Sequence, residues 1–452
     1  MFFPCSIDWS RWSVKSIILL SFSAASCITW SSTSIPKLMN NETTPFDRPI
    51  DVDESAWITS SLTLGSAVGT SIFCFLANSI GRKPTLLTAG VILLLSNLVI
   101  AFSNIIEIFY IARFISGIAV TGSIFIIPIY LSEIVDKSKR IVQSSLISIA
   151  TCSGLLFPNI VGLFASITTL NLIIAAVLVL FLVMFKLSGT ESEVFTKTKE
   201  NFLNTQVFVE KQVEIKYVKE LFIEIPTDLE KGENVNLFSI FKSKALRKAF
   251  ITVNTLLIIQ QLTGIDVVLF YGVQLTTKFS STITPEISVI ILGVFHLLSS
   301  FILPVIGPKF NNKTLLVMSG VGMVISQLLL TIFSYLQTLY IFPVYLNLLP
   351  LVFLISYVIS YNSGFGALPF LFQGEMFPQN AKFLATSVTG TLFWSVAFMI
   401  TKNFQFMLSL IGLHGYFLFC SVCCVIGILF SKYYLIETKN KTLEEIHMEL
   451  EK

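Results

Sequence analysis

Long apolar stretches recur along this chain, and they limit its possible folds more than any other feature. Each holds the ~20 mostly apolar residues that an α-helix needs to cross a lipid bilayer. Backbone N–H and C=O groups find no water inside the bilayer, so a spanning segment must bond them internally as a helix. We therefore predict an all-α membrane protein with twelve transmembrane helices, at about residues 14–35, 56–77, 84–103, 106–130, 142–165, 168–187, 247–273, 286–306, 314–335, 340–372, 384–408 and 411–434.

Composition and charge agree with a bilayer environment. Hydrophobic residues make up 54% of the 452 residues and charged residues only 13%, which leaves little polar sequence for a soluble domain. The formal net charge of +3 is too small to predict binding to nucleic acid. We expect the lipid bilayer to surround most of the chain.

Lysine and arginine are concentrated in every second break between the apolar stretches. Loops rich in these residues stay on the cytoplasmic side, so the alternation requires an even number of spans and places both termini in the cytoplasm. The basic breaks are Arg11 to Lys15, Arg82-Lys83, Lys137 to Arg140, Lys186 to Lys248, Lys309 to Lys313 and the tail from Lys439.

The sequence predicts no metal site, no cofactor and no catalysis. Six of the seven cysteines lie inside predicted spans, where buried, inert thiols are expected. The chain lacks the HExxH and GxSxG motifs, and no predicted span contains a pair of acids. We therefore expect a protein that is not an enzyme.

One long polar segment divides the chain between the sixth and seventh spans. Within it, residues 207–223 mix apolar and charged positions at helical spacing, which predicts short amphipathic helices beneath the membrane. The predicted organisation is a six-helix bundle at 1–187, a cytoplasmic linker at 188–245, a second six-helix bundle at 246–435 and a cytoplasmic tail at 436–452.

The polar loop from Pro36 to Glu54 lies outside the cell in this topology. It contains the sequon Asn41-Glu42-Thr43, so Asn41 is a candidate glycosylation site and the plasma membrane is the expected location. Two further sequons, at Asn312 and Asn440, fall on the cytoplasmic side and should stay unmodified.

Charged residues recur at matching positions in the two halves. Glu133 follows the fourth span with Arg140 seven residues later, and Glu375 follows the tenth span with Lys382 seven residues later. Ordinary cytoplasmic loop charges explain any one of these residues. Their matched order indicates instead an internal repeat, whose acids and cations pair to close an inner gate and separate when it opens.

Two more loop positions recur in the two halves. Glu191 follows the sixth span, and Glu437 follows the twelfth. Arg82-Lys83 lies between spans two and three, and Asn312-Lys313 lies between spans eight and nine. Acids and cations therefore stand at matching cytoplasmic positions of both halves.

Six stretches carry a family resemblance: IGRKPTLL (80–87), ARFISGIAV (112–120), PIYLSEI (128–134), QQLTGIDVVLFYG (260–272), GFGALPFLFQGEMFP (364–378) and ETKNKTLEEI (437–446). In this order they resemble the sugar porter family of the major facilitator superfamily, particularly insect facilitated trehalose transporters and animal glucose facilitators. The resemblance covers nearly the whole chain. It implies two bundles with pseudo-twofold symmetry around a cavity that opens alternately to either side, and facilitative transport of a sugar such as trehalose or glucose.

Two adjacent amides in the seventh span, Gln260 and Gln261, fit a sugar site. A sugar presents many hydroxyls and no charge, so neutral amides that donate and accept hydrogen bonds suit it. Within a lipid span they would be costly without a partner or a wet cavity. They match the family's sugar-binding glutamines, after which Gly264 lets the helix loosen and Tyr271 closes the motif.

Asp266 and His296 stand where the family has amides. Asp266 is the only carboxylate well inside a predicted span, so it either contacts the solute or lies in water near the outer mouth. His296 lies ten residues into the eighth span and aligns with a sugar-contacting amide. Its ring either lines the cavity or bonds a neighbouring helix.

Arg113 lies inside the fourth span and matches the family's intramembrane arginine. Proton-coupled members place an acid of the first span opposite this arginine, whereas here Ser13 to Ile35 contains no carboxylate. The resemblance therefore implies facilitated diffusion. The predicted gating network comprises Arg82, Arg113, Glu133, Arg140, Glu191, Glu375, Lys382 and Glu437.

Several cavity positions depart from the family. Phe370 replaces a sugar-stacking tryptophan, and Ser148 replaces a glutamine of the glucose facilitators. Phe393 replaces a polar asparagine before Trp394. These exchanges predict a more apolar cavity. The predicted solute-binding residues are Gln260, Gln261, Asp266, Tyr271, His296, Phe370, Trp394 and Ser148.

Two other functions stay open from the sequence. A proton-coupled sugar or polyol symporter would accumulate its substrate in response to a proton gradient. A sensor that does not transport would bind sugar and signal through its tail, which is short at residues 436–452. The expected partners are a small sugar and the lipid bilayer, and we expect the chain to function as a monomer.

Overall fold

A computed structural model describes residues 9–135, 140–192, 195–196, 243–279, 283–340 and 343–451, and these residues are almost entirely helical. The predicted amphipathic helices at 207–223 lie outside the described residues. The first half contains α1 (Trp9–Leu38), α2 (Val52–Ser79), α3 (Arg82–Phe102), α4 (Ile106–Ile134), α5 (Arg140–Phe164) and α6 (Ile167–Ser188). Each of the six overlaps one predicted span.

The second half is more interrupted. Its helices are α7 (Lys244–Leu262), α8 (Ile265–Phe270), α9 (Gly272–Thr277), α10 (Pro285–Ser299), α11 (Ile302–Ile306), α12 (Asn312–Leu339), a 3₁₀ helix (Val344–Leu348), α13 (Leu349–Asn362), α14 (Leu368–Met376), α15 (Gln379–Tyr433) and α16 (Leu443–Glu451). The first three form the seventh crossing, and the 3₁₀ helix with α13 and α14 forms the tenth.

Nine helical segments of the described residues are long and apolar enough to cross a bilayer. One of them, Ala381–Tyr433, consists of two helices that meet at Gly412, where φ is 68° and ψ is 176°. It therefore supplies the eleventh and twelfth crossings. With the broken seventh and tenth crossings added, the prediction of twelve spans is confirmed.

The broken crossings have local causes. Gly264 separates α7 from α8 at φ 91°, in the left-handed region that glycine enters without steric cost. The sequence predicts the loosening at this residue. Between α13 and α14, the irregular residues include Gly366, whose carbonyl accepts a hydrogen bond from Gln260 at 3.2 Å. Irregular backbone at membrane depth is expected where it is bonded to protein or lines a cavity.

Small residues bring the helices of the first half into close contact. A Cβ atom at Gly65 of α2 would lie 1.9 Å from the carbonyl oxygen of Phe114 of α4, and one at Gly117 would lie 1.9 Å from that of Leu62. Such glycines let two transmembrane backbones approach each other. They set the position of α4, which carries several cavity residues.

The two halves meet along three sets of helices: α1 with α8 and α9, α2 with α15, and α5 with α10. The last two pairs are related by the repeat. The second crossing packs on the eleventh and the fifth packs on the eighth, and the second and fifth crossings of the first half correspond to the eighth and eleventh of the second. This is the pseudo-twofold arrangement that the resemblance implies.

We name the two faces of the bundle by their chain segments. The terminal side is the face where α1 begins and the tail after α15 lies. The loop side is the opposite face, which carries residues 39–51 between α1 and α2. Asn41 is exposed there. In the same segment, a hydrogen bond of 2.8 Å to Glu54 raises the pKa of Arg48 above its ordinary value.

Candidate functional site

A cavity of about 390 Å³ lies between the halves. Its size falls within the range of about 300–1,000 Å³ for small-molecule sites. It reaches the terminal side, because Ser132 near the end of α4 and Lys382 near the start of α15 belong to its wall. Its other lining residues include Ser21, Ala24, Ile28, Ser123, Ile124, Phe125, Ile127, Ser148, Thr151, Gly366, Phe370, Gln373 and Thr386.

The cavity is closed toward the loop side by contacts between the halves, which we call the loop-side seal. The Ser31 hydroxyl donates to the carbonyl of Phe270 at 3.0 Å. The backbone N–H of Val273 donates to the Ser32 hydroxyl at 3.3 Å. Two further contacts complete the seal, a 3.2 Å hydrogen bond between Thr63 and Thr401 and a 2.6 Å ion pair between Asp53 and Lys402.

Two of the predicted solute-binding residues line the cavity. Ser148 is exposed on α5, and Phe370 projects from α14. The Phe370 ring lies 6.2 Å from Phe125 of the other half and 5.4 Å from Phe393. Aromatic side chains from both halves therefore form part of the cavity wall.

Gln260 and Gln261 lie beside the cavity wall rather than in the cavity's described lining. Gln260 Nε2 donates to the Tyr361 hydroxyl at 2.9 Å and to the carbonyl of Gly366, which lines the cavity, at 3.2 Å. The buried atoms Gln260 Oε1 and Gln261 Nε2 have no hydrogen-bond partner among the described residues. The two amides thus retain bonding capacity next to the cavity.

Asp266 follows the glutamines on α8 and is 5% exposed. Its buried Oδ2 atom has no hydrogen-bond partner among the described residues. The residue is therefore not in open water at the outer mouth in this conformation. A buried carboxyl group without partners is costly, which makes it a functional candidate.

Three other predicted residues are buried outside the described lining of the cavity. The Tyr271 hydroxyl donates to the carbonyl of Thr401 at 2.8 Å, which places it next to the loop-side seal. His296 is 9% exposed, and the interhelical bond found there joins its backbone carbonyl to Asn362 at 3.1 Å. Trp394 is 3% exposed and packs against Phe393 with the ring centroids 5.4 Å apart.

Arg113 is 1% exposed and contacts no acid among the described residues. Its Nη1 atom donates to the carbonyl of Cys27 on α1 at 2.7 Å. The guanidinium carbon lies 4.9 Å from the centre of the Trp30 ring. A backbone dipole and an aromatic face therefore take the place of a carboxylate partner.

In the first half, three of the predicted gating residues, Arg82, Glu133 and Glu191, form one connected cluster on the terminal side. The Arg82 guanidinium donates two hydrogen bonds of 2.9 Å to the Glu133 carboxylate, a bidentate ion pair. Glu191 accepts from the backbone N–H groups of Arg82 at 3.0 Å and of Lys83 at 3.2 Å. It therefore caps the start of α3. The side chain of Arg140 lies outside the described part of the structure.

The second half repeats the cap, and Asn312 stands there in place of the arginine that forms the ion pair of the first half. Glu437 accepts from the backbone N–H groups of Asn312 at 3.3 Å and of Lys313 at 3.1 Å, at the start of α12. Asn312 occupies the position that Arg82 has in the first half. It donates to the Thr438 hydroxyl at 3.4 Å, and within the described part of the chain the buried Glu375 Oε2 atom has no hydrogen-bond partner.

Sequence reasoning missed two buried polar residues of the cavity wall, Ser123 and Gln373. A signal for Gln373 was present, because this amide directly follows the apolar run from Leu368 to Phe372, and an amide at the end of a span is costly without a partner or a wet cavity. Ser123 gives no such signal, because a serine hydroxyl can donate a hydrogen bond to a backbone carbonyl of its own helix.

Comparisons with known proteins agree along the whole chain. The family described as "Sugar (and other) transporter" matches residues 22–450. Facilitated trehalose transporter Tret1 of Bombyx mori is 28% identical over 405 residues, which cover 89% of this chain and 80% of that protein. Tret1 of Apis mellifera ligustica is 27% identical over 448 residues, with 96% and 88% covered. Tret1 of Drosophila grimshawi is longer, and the chain covers 46% of it.

Solved structures share the fold. The crystal structure of a D-xylose-proton symporter matches with a TM-score of 0.72 at 21% identity, covering 97% of this chain and 100% of that one. A major facilitator superfamily proton:xylose symporter bound to 6-bromo-6-deoxy-D-glucose gives a TM-score of 0.74 at 18% identity, with 98% and 99% covered. The predicted major facilitator fold is confirmed. Because the family match extends over most of its length, this chain belongs to the sugar (and other) transporter family.

Proposed function

We propose that this chain carries an uncharged sugar, trehalose or a hexose such as glucose, across the membrane by facilitated diffusion. Its relatives are named facilitated trehalose transporters. The observation that carries the proposal is the cavity between the halves, whose wall Gln260 contacts through Gly366; Gln260 and the adjacent Gln261 each have a buried amide atom without a hydrogen-bond partner among the described residues. Neutral donors and acceptors of this kind suit a solute with many hydroxyls and no charge.

Transport requires that the cavity open to each side in turn. In the conformation described, the path leads to the terminal side and the loop-side seal is closed. Breaking the seal while the terminal-side ends of the halves approach each other would expose the same cavity to the loop side. The charged clusters around Glu133 and Glu375 lie where the terminal-side closure must form.

Uniport is favoured over proton coupling by the surroundings of Arg113. A proton carrier needs a group that gains and loses a proton during the cycle. Among the described residues, the hydrogen bonds of Arg113 go to the backbone carbonyls of Cys27 and Ile58, and its guanidinium lies over the Trp30 ring; none of these three groups titrates. The second candidate, a proton-coupled sugar or polyol symporter, is favoured by one observation, the partnerless carboxyl atom of Asp266.

Counterflow in proteoliposomes tests the proposal. The full chain is reconstituted, the vesicles are preloaded with unlabelled D-glucose or trehalose, and uptake of the labelled sugar is followed. We expect transient accumulation that is equal with and without a proton gradient. Accumulation that requires the gradient would support the symporter, whereas binding without exchange would indicate a sensor.

For the orientation, we propose a plasma-membrane protein with the terminal side in the cytoplasm. The excess of lysine and arginine on that face supports this orientation. The exposed Asn41 would then carry a glycan on the loop side, and Asn41→Gln should abolish a mass shift that glycosidase removes. Because one chain supplies all the described lining of the cavity, we also propose a functional monomer.

A further inference from the structure

The wall of the cavity contains a polar pair that comes from both halves. Ser123 on α4 is 2% exposed and Gln373 on α14 is 5% exposed, and both line the cavity. The Ser123 Oγ and Gln373 Nε2 atoms have no hydrogen-bond partner among the described residues. One half therefore supplies a hydroxyl and the other an amide, both with unused bonding capacity.

The surroundings of this pair are mostly apolar. Ile28, Ile124 and Ile127 lie in the same wall, and the rings of Phe125 and Phe370 approach each other across the two halves at 6.2 Å. A buried donor without a partner is unfavourable in such a setting, so an occupant of the cavity that supplies an oxygen gains binding free energy there. The apolar walls suit the C–H faces of the same occupant.

This pair differs from the glutamine pair on α7. Gln260 and Gln261 belong to the second half alone, and Gln260 is bonded to Tyr361 and Gly366 of that half. Ser123 and Gln373 come from opposite halves. A solute bonded to both would contact each rigid body, so its binding would affect how the halves close around it.

We propose that Ser123 and Gln373 form a hydrogen-bonding subsite that holds one hydroxyl group of a neutral sugar between the two halves. The Gln373 amide donates to the hydroxyl oxygen, and the Ser123 hydroxyl donates to or accepts from the same group or its neighbour. The inference rests on the proposed sugar transport. It adds that these two residues determine which hydroxyl group of the sugar the protein recognises. A site built to bond a hydroxyl rejects an analogue that lacks it.

Competition by deoxy sugars tests the subsite. Counterflow of labelled D-glucose is measured in proteoliposomes of the full chain, with 1-, 2-, 3-, 4- and 6-deoxyglucose as competitors. We expect one deoxy analogue to compete about fivefold or more weakly than glucose in the wild type. Gln373→Leu should raise the KM for glucose by about fivefold, the factor of one typical net hydrogen bond, and remove the discrimination against that analogue alone.

Two further variants separate recognition from misfolding. Gln373→Asn keeps the amide on a shorter side chain and should retain part of the discrimination. Gln337→Leu is the matched control, because Gln337 bonds the carbonyl of Phe279 at 3.4 Å outside the cavity lining, and it should keep the wild-type ranking. Ser123→Ala should weaken discrimination at the same hydroxyl or the adjacent one.

The possible failures are distinguishable. If the wild type exchanges neither glucose nor trehalose, the proposed function is wrong and the subsite loses its basis. If exchange is normal but Gln373→Leu and Ser123→Ala leave the KM and the ranking of deoxy sugars unchanged, the subsite alone is refuted. An equal loss of affinity for glucose and every analogue in Gln373→Leu would also refute it, since that pattern reflects a structural role.

Discussion

Buried polar groups at single positions differ in how far the fold satisfies them. Arg113 lies deep in the bundle, where its Nη1 atom bonds the carbonyl of Cys27 and its guanidinium stacks on Trp30, and only its Nη2 atom has no hydrogen-bond partner among the described residues. Asp266 is comparably buried, and its Oδ2 atom has no partner among the described residues. The first residue is therefore part of the architecture. The second retains a free energy cost that a solute, a proton or a conformational change can relieve.

Asp266→Asn tests that cost. Replacing this carboxyl group, whose buried Oδ2 atom has no hydrogen-bond partner among the described residues, by a neutral amide should stabilise the protein by about 1 kcal/mol or more, because an amide carries no charge that must be desolvated. The measurement is the midpoint of thermal unfolding of the purified chain in detergent, which should rise. A lower midpoint would mean that the carboxylate makes a stabilising interaction in the folded state.

Transport by the same site gives a separate prediction. If Asp266 contacts the solute, Asp266→Ala should raise the KM for sugar in counterflow, by about fivefold for one lost hydrogen bond. Asp266→Asn should retain most of the affinity, because the amide also donates and accepts. Unchanged transport in Asp266→Ala would exclude the contact with solute.

At the scale of helices, the two halves share a glutamate that caps a helix start, and they differ in the residue next to that cap. Glu191 and Glu437 each accept two backbone N–H groups at the start of α3 and α12, where the helix dipole favours a negative charge. In the first half, Arg82 at the start of α3 also pairs with Glu133, the acid near the end of α4. In the second half the corresponding position is Asn312.

Completing the second cluster is a direct test of this correspondence. Asn312→Arg should place a guanidinium beside Glu375 and stabilise the chain by about 1.5–3 kcal/mol, the range for hydrogen bonds to charged groups. The readout is a higher midpoint of thermal unfolding, absent in the double variant with Glu375→Gln. Asn311→Arg is the matched control, because it adds the same charge at an exposed neighbouring position.

The reverse exchange in the first half should have the opposite sign. Arg82→Asn removes one partner of an ion pair whose side chains are 5% and 12% exposed. Breaking a buried pair costs about 3–5 kcal/mol, so we expect a strongly destabilised chain. Little change in the thermal unfolding midpoint would mean that water readily solvates Glu133 in the folded state.

For the molecule as a whole, the observed conformation depends on the contacts between its halves. The cavity opens to the terminal side, and serine, threonine and backbone groups close the loop side. The family is one of membrane transporters, so the prediction that the chain is not an enzyme is confirmed. An exchange between two open states needs a seal that is weak enough to break, and neutral hydrogen bonds of 3.0, 3.2 and 3.3 Å with one largely exposed ion pair satisfy that requirement.

The ion pair of the seal gives the prediction at this scale. The Asp53 side chain is 77% exposed and that of Lys402 is 19% exposed, so the pair is worth at most about 1 kcal/mol. Lys402→Met or Asp53→Asn should therefore shift the population toward the state open to the loop side by no more than about fivefold. The KM for sugar entering from that side should fall accordingly.

Two controls accompany this measurement. Exchanging the charges, with Asp53→Lys and Lys402→Asp together, should restore the wild-type KM. Asp47→Asn removes another exposed acid of the same polar segment and should change nothing. If the charge-exchanged protein behaves like the single variants, the ion pair does not contribute to the seal.

The sequence by itself determined the features that depend on local physics. Hydropathy fixed the number of crossings, because a bilayer imposes the same length and helical geometry on every span. Matched charges revealed the repeat, and the left-handed Gly264 marked the break in the seventh crossing. These signals act within about twenty residues and need no knowledge of neighbours.

Only the tertiary structure decided which distant residues share a space. Gln373 and Ser123 are 250 positions apart, yet both line the cavity, whereas Tyr271 lies next to the loop-side seal and His296 in a helix contact. Helix rotation and the approach of the halves set these positions. They arise from packing over the whole molecule, so the apolar pattern of any one span does not contain them.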